Sequence, residues 1–72
     1  MFKTDRYYKH ENGKDAVIRI HSCKEYDSGY ELVVTWHVQS YDRSILPTAT
    51  SFQLNFISKE HSNEWKEVDN AS

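Results

Sequence analysis

The chain has 72 residues, nine Lys/Arg against eleven Asp/Glu for a net charge of −2, a 14% aromatic content, one cysteine, two glycines and one proline. That composition excludes an internal disulfide, a flexible linker and an unfolded polyelectrolyte. No apolar run is long enough to span a bilayer or to form a signal-peptide core, so a soluble protein of a reducing, cytoplasmic compartment is expected.

One small β-rich domain over residues 1–69 is expected, with a frayed tail at 70–72. A domain of this size buries only about 60–65% of the surface its unfolded chain exposes, so a partner would supply burial it lacks. The charge is uneven: residues 1–24 hold six Lys/Arg against three Asp/Glu, and residues 25–72 hold three against eight.

The first arm, "RYYKHE", leads to Asn12-Gly13, a pair that favours a two-residue type I′ hairpin. That turn places Tyr8 opposite Val17, Tyr7 opposite Ile18 and Arg6 opposite Arg19. "DAVIRIHSC", Asp15 to Cys23, alternates apolar and polar residues and reads as a strand. Glu25 to Gly29 forms a loop. "YELVVTWHVQ", Tyr30 to Gln39, alternates strictly and is rich in β-branched and aromatic residues. Setting Lys24 opposite Tyr30 matches Ser22 with Leu32, Ile20 with Val34 and Ile18 with Trp36. A slip by one residue would bury Arg19 against Trp36, which desolvation forbids.

These three strands predict an antiparallel meander. Its core face carries Tyr7, Ile18, Ile20, Leu32, Val34, Trp36 and Val38. Its outer face carries the rows Tyr8–Val17–His37, Arg6–Arg19–Thr35 and Thr4–His21–Val33. Two arginines directly opposed are unfavourable, so either the register differs, or the guanidiniums splay into water, or something acidic belongs between them. Ser40 to Ser51 is a connection with a turn at Tyr41–Arg43. Ile45 and Leu46 are expected to tuck under the sheet, and Pro47 to force extended backbone. "SFQLNF" is a third alternation, with Phe52, Leu54 and Phe56 on one side. Ile57, His61, Trp65 and Val68 then fall on one helical stripe, with Ser58 or Ser62 as N-cap. Glu64–Val68 reads equally well as a last strand turning back through Glu60–Asn63. The fold class is mainly β.

"RYYKHENG", followed by "ELVV", "LP" and a late Phe, resembles a short bacterial domain of unknown function. Its pattern runs Gly-x-Tyr-x-His-x-x-Gly, then a Val-Val strand, then an aromatic-x-Arg-Pro turn. The match passes through Arg6, Tyr8, His10, Gly13, Val33, Val34 and Pro47, while Asp5 replaces the glycine and Leu46 the arginine. The resemblance implies a small SH3-like, partly open barrel and carries no activity. In size and one-domain economy the chain is also similar to accessory proteins of phages and mobile elements.

Candidate chemistry is sparse. His21 and Cys23 would share a strand face with Glu31 opposite Cys23, but no Cys-x-x-Cys or His-x-x-x-His spacing exists and a closed zinc site needs four ligands. Same-face neighbours on one strand sit about 7 Å apart, too far for a Cys–His catalytic pair. Neither an enzyme nor a cofactor is expected. The outer face is left, with Arg6, Tyr8, Arg19, His21, Val33 and His37 as candidate binding residues. Its aromatic, Arg and apolar mixture suits contact with another protein or a second copy of the chain. The rival is single-stranded nucleic acid, with Tyr8 and the histidines stacking on bases and Arg6, Lys9, Lys14, Arg19 and Lys24 near phosphates. The negative total charge weighs against it.

Overall fold

The structure, a computed structural model, describes residues 2–46 and 51–69; the expectations for Pro47 and for the tail 70–72 lie outside them. In chain order the elements are β1 (Tyr7–His10), β2 (Ala16–Glu25), β3 (Gly29–Gln39), β4 (Ile45–Leu46), β5 (Gln53–Ser58), α1 (Lys59–Ser62) and β6 (Trp65–Val68). They form one antiparallel, unclosed sheet in the order β4-β3-β2-β1-β6, with β5 also on β3. β4 pairs with Val38 and Gln39, and β5 with Gly29 to Val34, so the two lie end to end along one edge of β3. The mainly β, antiparallel fold is as expected.

The β2–β3 ladder holds the expected pairs Ile18–Trp36 and Ile20–Val34, then shifts between Ile20 and Ser22. Beyond that bulge Ser22 meets Val33 and Cys23 meets Leu32, in place of the expected Ser22–Leu32 pair. The reason is burial. Without the extra residue Ser22 would enter the core; the bulge sends Cys23 there instead, where it packs against the core cluster.

The first hairpin departs by one residue. Tyr7 lies opposite Arg19 and Tyr8 opposite Ile18. Gly13 has no positive φ, so no type I′ turn forms; Asp5 (63°) and Arg43 (74°) are the described residues in that region. A longer loop links β1 to β2, in which Gly13 N–H donates to the His10 carbonyl at 2.8 Å. Because side chains alternate with period 2, this slip exchanges the faces of Tyr7 and Tyr8. Tyr8 becomes a core residue, 4% exposed, edge-on to Phe2 with ring centroids 5.0 Å apart. Its hydroxyl accepts the Lys3 N–H at 2.8 Å. Arg6 no longer faces Arg19: its carbonyl accepts the Ile20 N–H, and its guanidinium reaches Glu67 at 3.4 Å.

The core comprises Phe2, Tyr8, Ile18, Ile20, Tyr30, Leu32, Val34 and Ile57, with Cys23 and Trp65 against it. Each fully buried aliphatic side chain contributes about 1.5–3 kcal/mol. Of the expected core residues, Tyr7 has left for the other face, and Trp36 and Val38 sit at the margin, more than a third exposed. Residues 58–68 contain both elements that their sequence allowed. Lys59–Ser62 makes one helical turn after an extended Ser58, and Trp65–Val68 is a strand paired with β1. Ile45 is buried as expected, while Leu46 is half exposed.

Candidate functional site

The outer face is built on the β1–β2–β3 ladder. Arg19 lies between Tyr7 and Thr35 in one transverse row, and Val17 lies beside His37 in the next. Arg19 places its guanidinium 5.8 Å from the Tyr7 ring centroid and 3.4 Å from an Asp5 carboxylate oxygen. Of the alternatives the opposed arginines left open, it is the register that differs: Arg6 and Arg19 are not opposed, and each meets its own carboxylate, Glu67 and Asp5. Tyr7 stands edge-on to His37, with centroids 5.7 Å apart.

Thr35 joins the two histidines. Its Oγ1 is 2.8 Å from His21 Nε2 and 2.7 Å from His37 Nε2. A hydroxyl has one proton, so it donates to one ring and accepts from the other, and the two imidazoles hold opposite roles at Nε2. Burial pushes His37 below its ordinary pKa, against a bond with the Leu46 backbone that raises it, and the charge of Arg19 adds to the lowering, so His37 is mainly neutral at pH 7. Val17, Thr35 and Ile45 are buried, so the lower part of this face is covered.

The upper part is open and apolar. His21 stacks edge-on against Phe52 at 4.8 Å. Val33 lies opposite Leu54, and Glu31 opposite Phe56. Phe52, Leu54 and Phe56 are 68%, 65% and 55% exposed, while Gln53 and Asn55 occupy the side of β5 shared with core residues Val34 and Leu32. The strand is thus inverted, with its apolar row in water. Its seat explains why. Ile57 pairs with Tyr30 and is buried, and a Cβ on Gly29 would lie 2.5 Å from the Ile57 carbonyl oxygen. Slipping β5 by one residue would hide the Phe row but turn Ile57 out of the core.

Arg19, His21 and His37 therefore meet on one surface, with half-buried Val33 beside them. Tyr8 does not, since it faces the core, and Arg6 lies at the β1–β6 margin against Glu67. His21 and Cys23, expected on one face, are split by the bulge; burial first raises the pKa of the Cys23 thiol. Sequence reasoning missed Tyr7 and Thr35 as site residues. It also left the Phe52–Leu54–Phe56 row unassigned, although its alternation was visible, because a core strand and an interface strand share that signal. Among the described residues no group of three or more His, Cys, Asp or Glu is placed to hold a metal, and no helix is long and apolar enough to cross a membrane.

On the opposite side of the molecule, Glu64 accepts from two rings, His10 Nε2 and His61 Nδ1, each at 2.9 Å. The His61 bond first, then that of His10, holds the Glu64 carboxyl below its ordinary range, and Glu64 raises His61 in turn. This cluster fastens the turn after α1 to β1, where Glu11 N–H also donates to the Glu64 carbonyl. No protein-family model matches the chain, and no curated protein or solved structure matches it either.

Proposed function

We propose that the chain is a small non-enzymatic protein-binding module of the cytoplasm. It engages another protein, or a second copy of itself, through the outer face around Arg19, His21, Val33 and His37, extended onto β5. The observation that carries this reading is the inverted strand. Three large apolar side chains at 68%, 65% and 55% exposure stand in one row, Leu54 and Phe56 on β5 and Phe52 immediately before it. With aromatic side chains of roughly 150–250 Å² each, they leave on the order of 350 Å² of apolar surface in water. The largest apolar patch of a monomer is typically roughly 300–600 Å² and is often functional, which supports reading this row as an interaction site. His21, His37 and Arg19 rim it with polar and cationic groups, as at the border of protein interfaces. The strand order β6-β1-β2-β3-β5, with one helical turn between β5 and β6, supports reading the fold as an SH3-like, partly open barrel.

Single-stranded nucleic acid is the second reading, and one observation favours it. Lys9 lies directly opposite Lys66, and Lys9, Lys14 and Arg43 line an open groove of about 630 Å³. Like charges so placed repel unless an anion lies between them. Photo-crosslinking from a benzophenone side chain at position 52, in a lysate of the source cell, separates the two. The expected result is a covalent adduct with a discrete polypeptide, this chain included, that survives added salt and is lost in Phe56→Glu. An adduct with nucleic acid that fades steeply with salt would replace protein binding by the second reading. Absence of any adduct would end the protein-binding reading.

A further inference from the structure

We propose that β5 is a self-pairing edge: two copies of the chain join through β5, antiparallel and two-fold, with Leu54 opposite Leu54 of the partner subunit. The proposal rests on the protein-binding reading and names the partner.

The main chain comes first. Lys59 N–H donates to the Ser28 carbonyl at 3.0 Å, so that opposed pair is a bonded one. Bonded and non-bonded pairs alternate along an antiparallel ladder. Gln53, Asn55 and Ile57 therefore direct their amides and carbonyls to β3, and Phe52, Leu54 and Phe56 direct theirs outward. Among the described residues no strand pairs with that outer side.

Natural edges are blunted by charge, proline, a bulge or brevity. "QLNFIS" has no charged residue and no proline, and its pairing with β3 runs without a shift. The other outer edge of the sheet, β6, is a contrast: it is four residues long and carries Lys66 and Glu67. Among the described residues, β4 is only two residues long and β6 is charged, so β5 is the edge that invites pairing.

The residues with outward amides are also those with exposed apolar side chains. With Leu54 on the two-fold axis, Phe52 falls opposite Phe56 of the partner subunit and every bonded position meets a bonded position. The aromatic cross-strand pairs share a face, which is the stabilising arrangement for such pairs. Two copies bring together on the order of 700 Å² of apolar surface before His21, Val33 and Tyr26 are included, which is below the roughly 1,200 Å² of a standard interface and in the range of weak, transient contacts. A weak, concentration-dependent dimer is therefore expected, not an obligate one. A two-fold pairing of this edge with itself uses it up in both copies, so the assembly closes on itself.

Sedimentation equilibrium of the full chain, from micromolar to millimolar concentration, tests this. The apparent mass is expected to rise from 8.5 kDa toward twice that value. Leu54→Lys should stay at the single-chain mass while keeping its circular dichroism and melting temperature, since Leu54 is mostly exposed already. In wild type, amide exchange at Leu54 and Phe56 should slow with concentration while that of β6 does not. A single-chain mass at millimolar concentration, or a Leu54→Lys protein that associates equally well, overturns self-pairing. If the mass stays single but position 52 still crosslinks to a different polypeptide, self-pairing alone fails and the protein-binding reading stands. If neither association nor crosslinking occurs, both fall.

Discussion

Gly29→Ala isolates the contact that seats β5. A methyl at that position would stand 2.5 Å from the Ile57 carbonyl oxygen, 2.7 Å from Phe56 Cζ and 2.8 Å from Ser58 Cα. Two of the three neighbours are backbone atoms, so a rotamer change cannot relieve the clash. The strand must withdraw by about 0.9 Å, the gap between 2.5 Å and the 3.4 Å at which ordinary contact begins. Withdrawal stretches the β3–β5 ladder at this end and lifts Ile57 from Tyr30. Overpacking of this kind costs about 1–3 kcal/mol. Against roughly 4–10 kcal/mol for a chain of this length, that is a large fraction of the whole. Urea unfolding followed by the fluorescence of Trp36 and Trp65 reads the cost directly. With a slope near 1 kcal/mol per molar urea, the midpoint should fall by about 1–3 M. Gly13→Ala is the control: its nearest new neighbour lies at 3.1 Å, and a shift well below that of Gly29→Ala is expected. A Gly29→Ala midpoint equal to wild type, or a larger loss for Gly13→Ala, would refute the placement of β5.

Four further outcomes follow from the same geometry. Tyr8→Ala should cost about 3–5 kcal/mol as a large-to-small core change, while Tyr7→Ala should cost far less; denaturation midpoints in the reverse order would restore the two-residue hairpin register. The Glu64 contacts set a pH window. His61 is raised above its ordinary 6.5 by Glu64, so its contribution is whole below 6.5 and lost as pH climbs past its folded value. Glu64 is lowered from its ordinary 4.5, so its contribution is whole above 4.5 and lost as pH drops through its folded value. Glu64→Gln should therefore be most destabilised relative to wild type between pH 4.5 and 6.5, and a difference in melting temperature that is flat with pH would contradict the contact. His37 runs the other way, because its lowered pKa makes the fold less stable as pH falls below 6.5; His37→Gln should remove that decline. Finally, Cys23 should react with iodoacetamide more slowly in the folded chain than in urea, because burial raises its thiol pKa; equal rates would place it outside the core margin.

Much of the sheet was legible in the alternation of β2 and β3, because one buried face fixes register over many residues. Ile18–Trp36 and Ile20–Val34 are the pairs that burial demanded. The bulge at His21 was not legible. It answers a competition between Ser22 and Cys23 for one core position, which single-residue patterning does not reveal. The hairpin failed for a related reason. Asn12-Gly13 permits a type I′ turn without requiring one, and the register was decided instead by Phe2, Tyr30 and Tyr8 meeting as an edge-on aromatic cluster. That cluster depends on a residue outside every strand. For the candidate face, Arg19, His21 and His37 were legible because β2 and β3 were. Phe52, Leu54 and Phe56 were visible as a row, but their exposure depends on Gly29 and Ile57, which set the depth of β5.

The ladder between β1 and β6 joins segments near opposite ends of the sequence: Arg6 and Glu67, 61 positions apart, are ion-paired neighbours. Loop-closure entropy grows with the length enclosed, so this seam knits late in folding and leaves early in unfolding. Clipping either strand would strip its mate and lay bare the flank of Tyr8 together with it. Tyr7 and Val68 are direct partners across that ladder, about one strand spacing or roughly 5 Å apart, so the seam holds the two ends of the described sheet side by side.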